Sequence, residues 1–315
     1  MTTAVPLPTL HTSRYKNFEE EDILEDEFVI VASTGREQRS TLPVWDRFRV
    51  NHPDRCVRII HESQQSVGID GAFGRQALSL RDADALQSLV EGRRILLDIS
   101  GMAHSTWAAI IKAMYVSRVS ARILYAEPNE YKSHPSPVSD SVFDLSEGFA
   151  GVAPLPGFST LAAPERDEDS LFVTLLGFEG SRPGRLFLTV DPSPLVVPVV
   201  GVPGFKMEYP TYSVACNRQF LSRYGGNGEI RFARASCPFE AFRALELIQQ
   251  DFPGQFMYIA PVGTKPHSVG AVCFALKNPG TTEILYDHPI RRSGRSSGVG
   301  IIHVYNFGCF DPFRP

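Results

Sequence analysis

Short apolar runs alternating with amphipathic stretches organise this chain. Phe28 to Ala32, Cys56 to Ile60, Ile95 to Ile99 and Arg122 to Ala126 are apolar and rich in β-branched residues, which predicts buried strands. Between them, Asp82 to Val90 has helical character. After Ser100-Gly101-Met102, the residues Trp107, Ile110, Ile111, Met114 and Tyr115 fall on one helical face. Strands that alternate with amphipathic helices imply parallel pairing, with helices covering a sheet.

The same rhythm returns in the second half. Leu171 to Leu176, Val196 to Val200, Glu229 to Ala233, Phe256 to Ala260, Glu283 to Tyr286 and Gly300 to Tyr305 are strand candidates. Helices are expected to start near Pro183, Val214, Pro238 and Pro266. The one at Pro238 shows Phe239, Phe242, Leu245, Ile248 and Phe252 on successive turns, with Ser236 as its N-cap. A Gly/Ser/Arg loop joins the last two strands, so they are expected to form an antiparallel hairpin at the sheet edge.

Two stretches break the rhythm. Residues 1–26 carry Glu19, Glu20, Glu21, Asp22, Glu25 and Asp26, with Glu27 following, and read as a flexible acidic tail. Residues 134–170 are irregular, with Pro135, Pro137, Pro154, Pro156 and Pro164 among scattered charges, and read as a linker. This leaves an N-terminal α/β domain over 27–133 and a C-terminal one over 171–315.

Composition narrows the function classes. The 315 residues are 43% hydrophobic and 21% charged, with a net charge of −4, which argues against bulk nucleic-acid binding. No run is long enough for a membrane span, and the first ten residues lack the regions of a signal peptide. Cys56, Cys216, Cys237, Cys273 and Cys309 are an odd, scattered set that reads as reduced thiols of a cytoplasmic protein. Neither Cys-x2-Cys nor His-Glu-x2-His occurs, so no metal site is expected and no cofactor is indicated. There is no Gly-x-Ser-x-Gly elbow. Arg47 and His52 have a spacing seen in some ribonucleases, but Pro53 pushes His52 out of helical geometry.

The candidate chemistry lies where strands end. Phe256 to Ala260 runs into Pro261-Val262-Gly263-Thr264-Lys265-Pro266-His267-Ser268, and Val269, Val272, Cys273 and Leu276 then recur at helical spacing. Such a strand–turn–helix offers backbone N–H groups, a helix dipole and the Lys265 charge to an anion. Gly263, Thr264, Lys265 and Ser268 are therefore read as a phosphate or nucleotide cradle, although the P-loop spacing is absent. Three further turns share this chemistry: Ser33-Thr34-Gly35-Arg36, Asp98-Ile99-Ser100 and Gly177-Phe178-Glu179-Gly180-Ser181-Arg182. Asp98 and Glu179 are each a ribose-hydroxyl acceptor, a general base, or simply a turn cap. The run Arg291 to Gly298 concentrates positive charge, and Arg292 and Arg295 can wrap a phosphate or merely keep a loop soluble.

At Gly263-Thr264-Lys265-Pro266 the chain resembles the CARF domains, Rossmann-like sensors of cyclic oligonucleotides in prokaryotic defence, in which a Gly-Thr-Lys segment opens a helix at the ligand site. The resemblance implies that Thr264 and Lys265 contact a phosphate or ribose and that Ser33, Thr34, Arg36 or Ser100 line the same pocket. The expected architecture is α/β: two Rossmann-like three-layer halves with mainly parallel sheets and a C-terminal antiparallel hairpin. The expected function is a nucleotide-binding sensor, acting as a homodimer or with an effector protein. An enzyme acting on a nucleotide or phosphorylated metabolite is the alternative.

Overall fold

A computed structural model of the chain describes residues 11–33, 37–138, 141–159, 170–190, 193–225 and 229–307. It is a mixed α/β protein. In chain order the first strands and helices are β1 (Thr12–Tyr15), β2 (Glu27–Ala32), α1 (Pro43–Asn51), β3 (Cys56–Glu62), β4 (Ser66–Gly71) and β5 (Gln76–Ser79). Then come α2 (Ala83–Val90), β6 (Arg94–Asp98), α3 (His104–Val116), β7 (Ala121–Ala126) and β8 (Glu130–Tyr131). Short strands follow: β9 (Ser133–Val138), β10 (Ser141–Phe143), β11 (Ser146–Phe149) and β12 (Ala153–Pro154). The next elements are β13 (Ser170–Leu175), α4 (Ser181–Phe187), β14 (Leu195–Gly201), α5 (Tyr209–Cys216), α6 (Arg218–Tyr224), β15 (Arg231–Ala233) and α7 (Pro238–Asp251). The chain ends with β16 (Phe256–Pro261), α8 (Lys265–Lys277), β17 (Thr282–Tyr286), β18 (Pro289–Arg291), β19 (Ser296–Ser297) and β20 (Ile302–Asn306).

The chain divides into two compact units. One runs to Tyr131 and resumes at Ser293; the other spans Lys132 to Arg292. The first holds an eight-stranded mixed sheet in the order β1-β20-β7-β6-β2-β3-β4-β5. Its centre, β7-β6-β2-β3, is parallel, and antiparallel strands complete both edges. Val29, Val31, Trp45, Phe48, Leu96 and Leu124 pack in its core. In chain order the parallel block reads 4-3-1-2, so strand order reverses between β2 and β6.

The second unit holds a six-stranded sheet in the order β12-β17-β16-β13-β14-β15. All pairings from β17 to β15 are parallel, and only β12 runs antiparallel. The parallel strands read 5-4-1-2-3 in chain order, which places the reversal between β13 and β16. Near-continuous apolar runs such as Ser-Leu-Phe-Val-Thr-Leu in β13, buried at every position, are what a sheet covered on both faces requires.

Several expectations are corrected. Of the supposed acidic tail, residues 12–15 form β1, paired with β20, and Phe18 and Ile23 are buried in the first core. Burying such side chains is worth about 1.5–3 kcal/mol each, enough to anchor an otherwise polar segment. The C-terminal hairpin does not form. β17 lies in the second sheet, whereas β20 pairs antiparallel with β7 in the first, supplying partners to an edge that would otherwise be open. The irregular stretch 134–170 contains the β9–β10 ribbon, while β11 pairs with β18 and β12 with β17. Pro135 and Pro137 are tolerated there because a two-stranded ribbon leaves backbone N–H positions unused. The helix expected near Val214 starts at Tyr209, and the N-cap of α7 is Cys237, not Ser236.

Candidate functional site

The reversal between β13 and β16 collects most of the second-half candidates. In open parallel sheets, ligands bind beyond the carboxyl ends of strands at such a reversal, because the two following loops diverge there. The loop after β13 carries Gly177 to Gly180 and runs into α4 with Ser181 and Arg182, and the loop after β16 carries Val262 to Thr264 and runs into α8 at Lys265, on adjacent strands in register from Ser170↔Phe256 to Leu175↔Pro261. The loops touch backbone to backbone. A Cβ on Gly177 would sit 2.6 Å from the Val262 carbonyl oxygen and 3.1 Å from Gly263 Cα. One on Gly263 would sit 2.6 Å from the Leu176 oxygen. Glycine is required at both positions, and this is the part of the sequence motif with the firmest steric reason.

Thr264 caps α8. Its hydroxyl accepts from the His267 N–H at 3.4 Å and donates to the Ala235 carbonyl at 2.6 Å, tying the start of α8 to the segment after β15. His267 is fully buried, and its Nε2 lies 3.1 Å from the Arg234 carbonyl oxygen. Burial lowers its pKa to about 4 despite the nearby Arg234 and Ala233 carbonyls, so the ring is neutral and structural. Lys265 is buried as the first residue of α8. Ser268, named as a ligand contact, turns its hydroxyl back onto the Pro261 and Thr264 carbonyls at 3.3 and 3.1 Å.

Arg182 is a clamp. Its Nε and Nη2 engage Asp287, just after β17, at 2.6–3.1 Å, and its Nη1 reaches Glu179 at 3.3 Å and the Val262 carbonyl at 3.4 Å. One guanidinium thus links the ends of β13, β16 and β17, and sequence reasoning missed its partner Asp287. The signal was an acid directly after a buried strand. Beside this loop, Phe178 packs against Phe143 and Tyr209 at ring separations of 4.6 and 5.1 Å, and Tyr212 lies 5.7 Å from Phe143.

Of the first-unit candidates, Ser33, Asp98 and Ser100 lie at or just beyond the ends of β2 and β6, the strands on either side of the first sheet's reversal, and their side chains bond to the fold. Asp98 is buried. Its carboxylate accepts from Trp45 Nε1 at 2.7 Å and from the Ser100 N–H at 2.8 Å, which makes it a turn cap and a helix anchor. The Ser100 hydroxyl accepts from the Ala126 N–H at 2.8 Å, and Ser33 donates to the Ile59 carbonyl at 2.9 Å. Thr34 and Arg36 lie outside the described residues.

The arginine run is divided. Arg292 pairs with Asp144 in the second unit at 2.8 Å. Arg295 pairs with buried Glu37 in the first at 2.8 Å, where Ser296 also donates to Glu37. Burial alone would raise the Glu37 pKa. The Arg39 and Arg295 charges and the Ser296 hydroxyl overcome it and hold the carboxyl well below the ordinary carboxylate range. Arg39 extends the network to Tyr125 and the Ala126 carbonyl at 3.0 Å each. Neither arginine is placed to wrap a phosphate while these pairs hold.

Among the described residues no group of three His, Cys, Asp or Glu side chains is arranged to hold a metal ion, and no helix is long and apolar enough to cross a membrane. The described cysteines Cys56, Cys216, Cys237 and Cys273 are buried free thiols. Burial pushes Cys56 and Cys237 up to about 11, which argues against their use as nucleophiles. In comparisons with known proteins, the chain matches no family model and no curated protein.

Proposed function

We propose that this chain is a nucleotide or phosphate-ligand-binding sensor or regulatory protein and that the ligand sits where β13 and β16 end. The observation that carries this reading is the convergence, at the strand-order reversal, of two glycine loops and the N-terminus of α8 with buried Lys265. The second unit's strand order supports a Rossmann-like assignment. The resemblance to CARF domains extends the reading to a cyclic oligonucleotide as ligand and to a homodimer or effector partner in prokaryotic antiviral defence.

An enzyme acting on a nucleotide or phosphorylated metabolite, as a glycosidase, phosphoesterase or transferase, is the second reading. It rests on Glu179, a partly accessible carboxylate beside the cradle. Saturable binding of a labelled nucleotide panel with no product formed supports the sensor. Turnover that disappears in Glu179→Gln supports the enzyme, and no binding by any nucleotide removes nucleotides as the ligand in both readings.

A further inference from the structure

Glu179 has an acceptor to spare. Arg182 is already neutralised by Asp287 through three contacts, and Glu179 reaches it only through Oε2 at 3.3 Å. Among the described residues, Glu179 Oε1 takes no hydrogen bond. The side chain is mostly enclosed, at 16% exposure, so Arg182 and its own loop hold it in place while part of the carboxylate side chain stays accessible. Two carboxylates share one guanidinium here, which leaves a net negative charge at this spot. A phosphate is repelled from it; a hydroxyl donor is attracted.

The position matters as much as the charge. Glu179 follows Gly177 by two residues, and Gly177 is in backbone contact with Gly263 of the Gly-Thr-Lys segment. Its neighbour Phe178 belongs to the aromatic group with Phe143 and Tyr209. A ligand with its phosphate at the start of α8 has the β13 loop beside it, because Gly177 and Gly263 are in backbone contact. We infer that Glu179 is a specificity-determining residue that accepts a hydrogen bond from a sugar hydroxyl, so that the site selects ribonucleotides over 2′-deoxyribonucleotides. This rests on the nucleotide-binding reading and sharpens it to a ligand class.

The discrimination has a physical basis. A carboxylate that loses its donor stays partly desolvated, so a site built around a hydroxyl rejects the analogue that lacks it more strongly than an apolar pocket rejects a missing methylene. The test uses the full chain and calorimetric titration with ribonucleoside triphosphates and cyclic oligoribonucleotides, each beside its 2′-deoxy counterpart. The ribo form is expected to bind roughly tenfold or more tightly. Glu179→Ala should bring it down to the 2′-deoxy level, and Glu179→Gln, which keeps the shape and an acceptor oxygen, should retain part of the preference. Melting curves on both variants check the fold, and Arg182 keeps its Asp287 pair in each.

Nucleotide binding without a ribose preference overturns this inference and leaves the binding reading standing. A preference that survives in Glu179→Ala overturns the role of Glu179. If no member of the panel binds, both fall.

Discussion

The parallel blocks of the two sheets present the same kind of place, the carboxyl ends of the strands at which strand order reverses, and they treat it in opposite ways. Beyond β2 and β6 the protein fills the position with its own groups. Asp98 holds Trp45 and the Ser100 N–H, Ser100 holds the Ala126 N–H, and Gly101 lies so near Ala32 and Ser40 that a Cβ would come within 2.8–3.0 Å of them. Beyond β13 and β16 two glycine loops meet, a helix begins, and Glu179 is held through Oε2 by Arg182, its Oε1 taking no hydrogen bond among the described residues. On the reading proposed above, the topology offers the same kind of position in both sheets, and the side chains decide which one is closed into scaffold.

That contrast is most exposed to failure at Glu37. If the first reversal is scaffold, Glu37→Ala leaves buried Arg39 and partly buried Arg295 without their carboxylate, and stability should drop by about 3–5 kcal/mol in a denaturant titration. A loss comparable to that of a surface substitution would mean that the network is ornamental and the site open.

Next in size is the pH dependence set by His267. Its folded pKa of about 4 lies below the ordinary 6.5, so the unfolded chain takes up the proton first as pH falls. The stabilisation is complete above 6.5 and is lost toward pH 4 at about 1.4 kcal/mol per unit, about 3 kcal/mol in all. The stability difference between wild type and His267→Gln should therefore shrink across that window. A difference that stays constant from neutral pH to pH 4 contradicts the buried, neutral ring.

Smallest is Thr264→Val, which deletes the cap on α8 and the bond to the Ala235 carbonyl while keeping the side-chain volume. A stability loss of about 1–2 kcal/mol is expected, with a modest loss of ligand affinity as the cradle loosens. An unchanged melt would show that the cap is dispensable.

Local signals made much of this legible in the sequence. The apolar runs at 28–32, 122–126, 196–200 and 256–260 fall in strands, those at 95–99 and 171–176 do so but for their last residue, and the strand–turn–helix at Gly263 is present with Thr264 as its cap. What stayed hidden depends on distant partners. Thr12 to Tyr15 is an unremarkable polar tetrapeptide that becomes a strand only because β20 offers it an edge. β20 itself returns to the first sheet after the whole second unit, which no local pattern encodes. The same holds for charges: Arg295 reads as a phosphate ligand or a solubilising loop charge until Glu37, 258 residues earlier, is placed beside it. Asp98 was ambiguous in sequence because the indole that claims it, Trp45, lies on a different element.

The most direct test compares the two reversals in one titration. Wild type, Lys265→Ala and Asp98→Asn are titrated with the tightest-binding nucleotide of the panel at low and high salt. The account predicts that Lys265→Ala loses about 1.5–3 kcal/mol of binding, roughly ten- to a hundredfold in affinity, and that the loss shrinks at high salt as screening weakens the wild-type contact. Asp98→Asn should bind as wild type does, whatever it loses in stability. Undiminished binding by Lys265→Ala, or a comparable loss in Asp98→Asn, would contradict the assignment of the site to the second sheet.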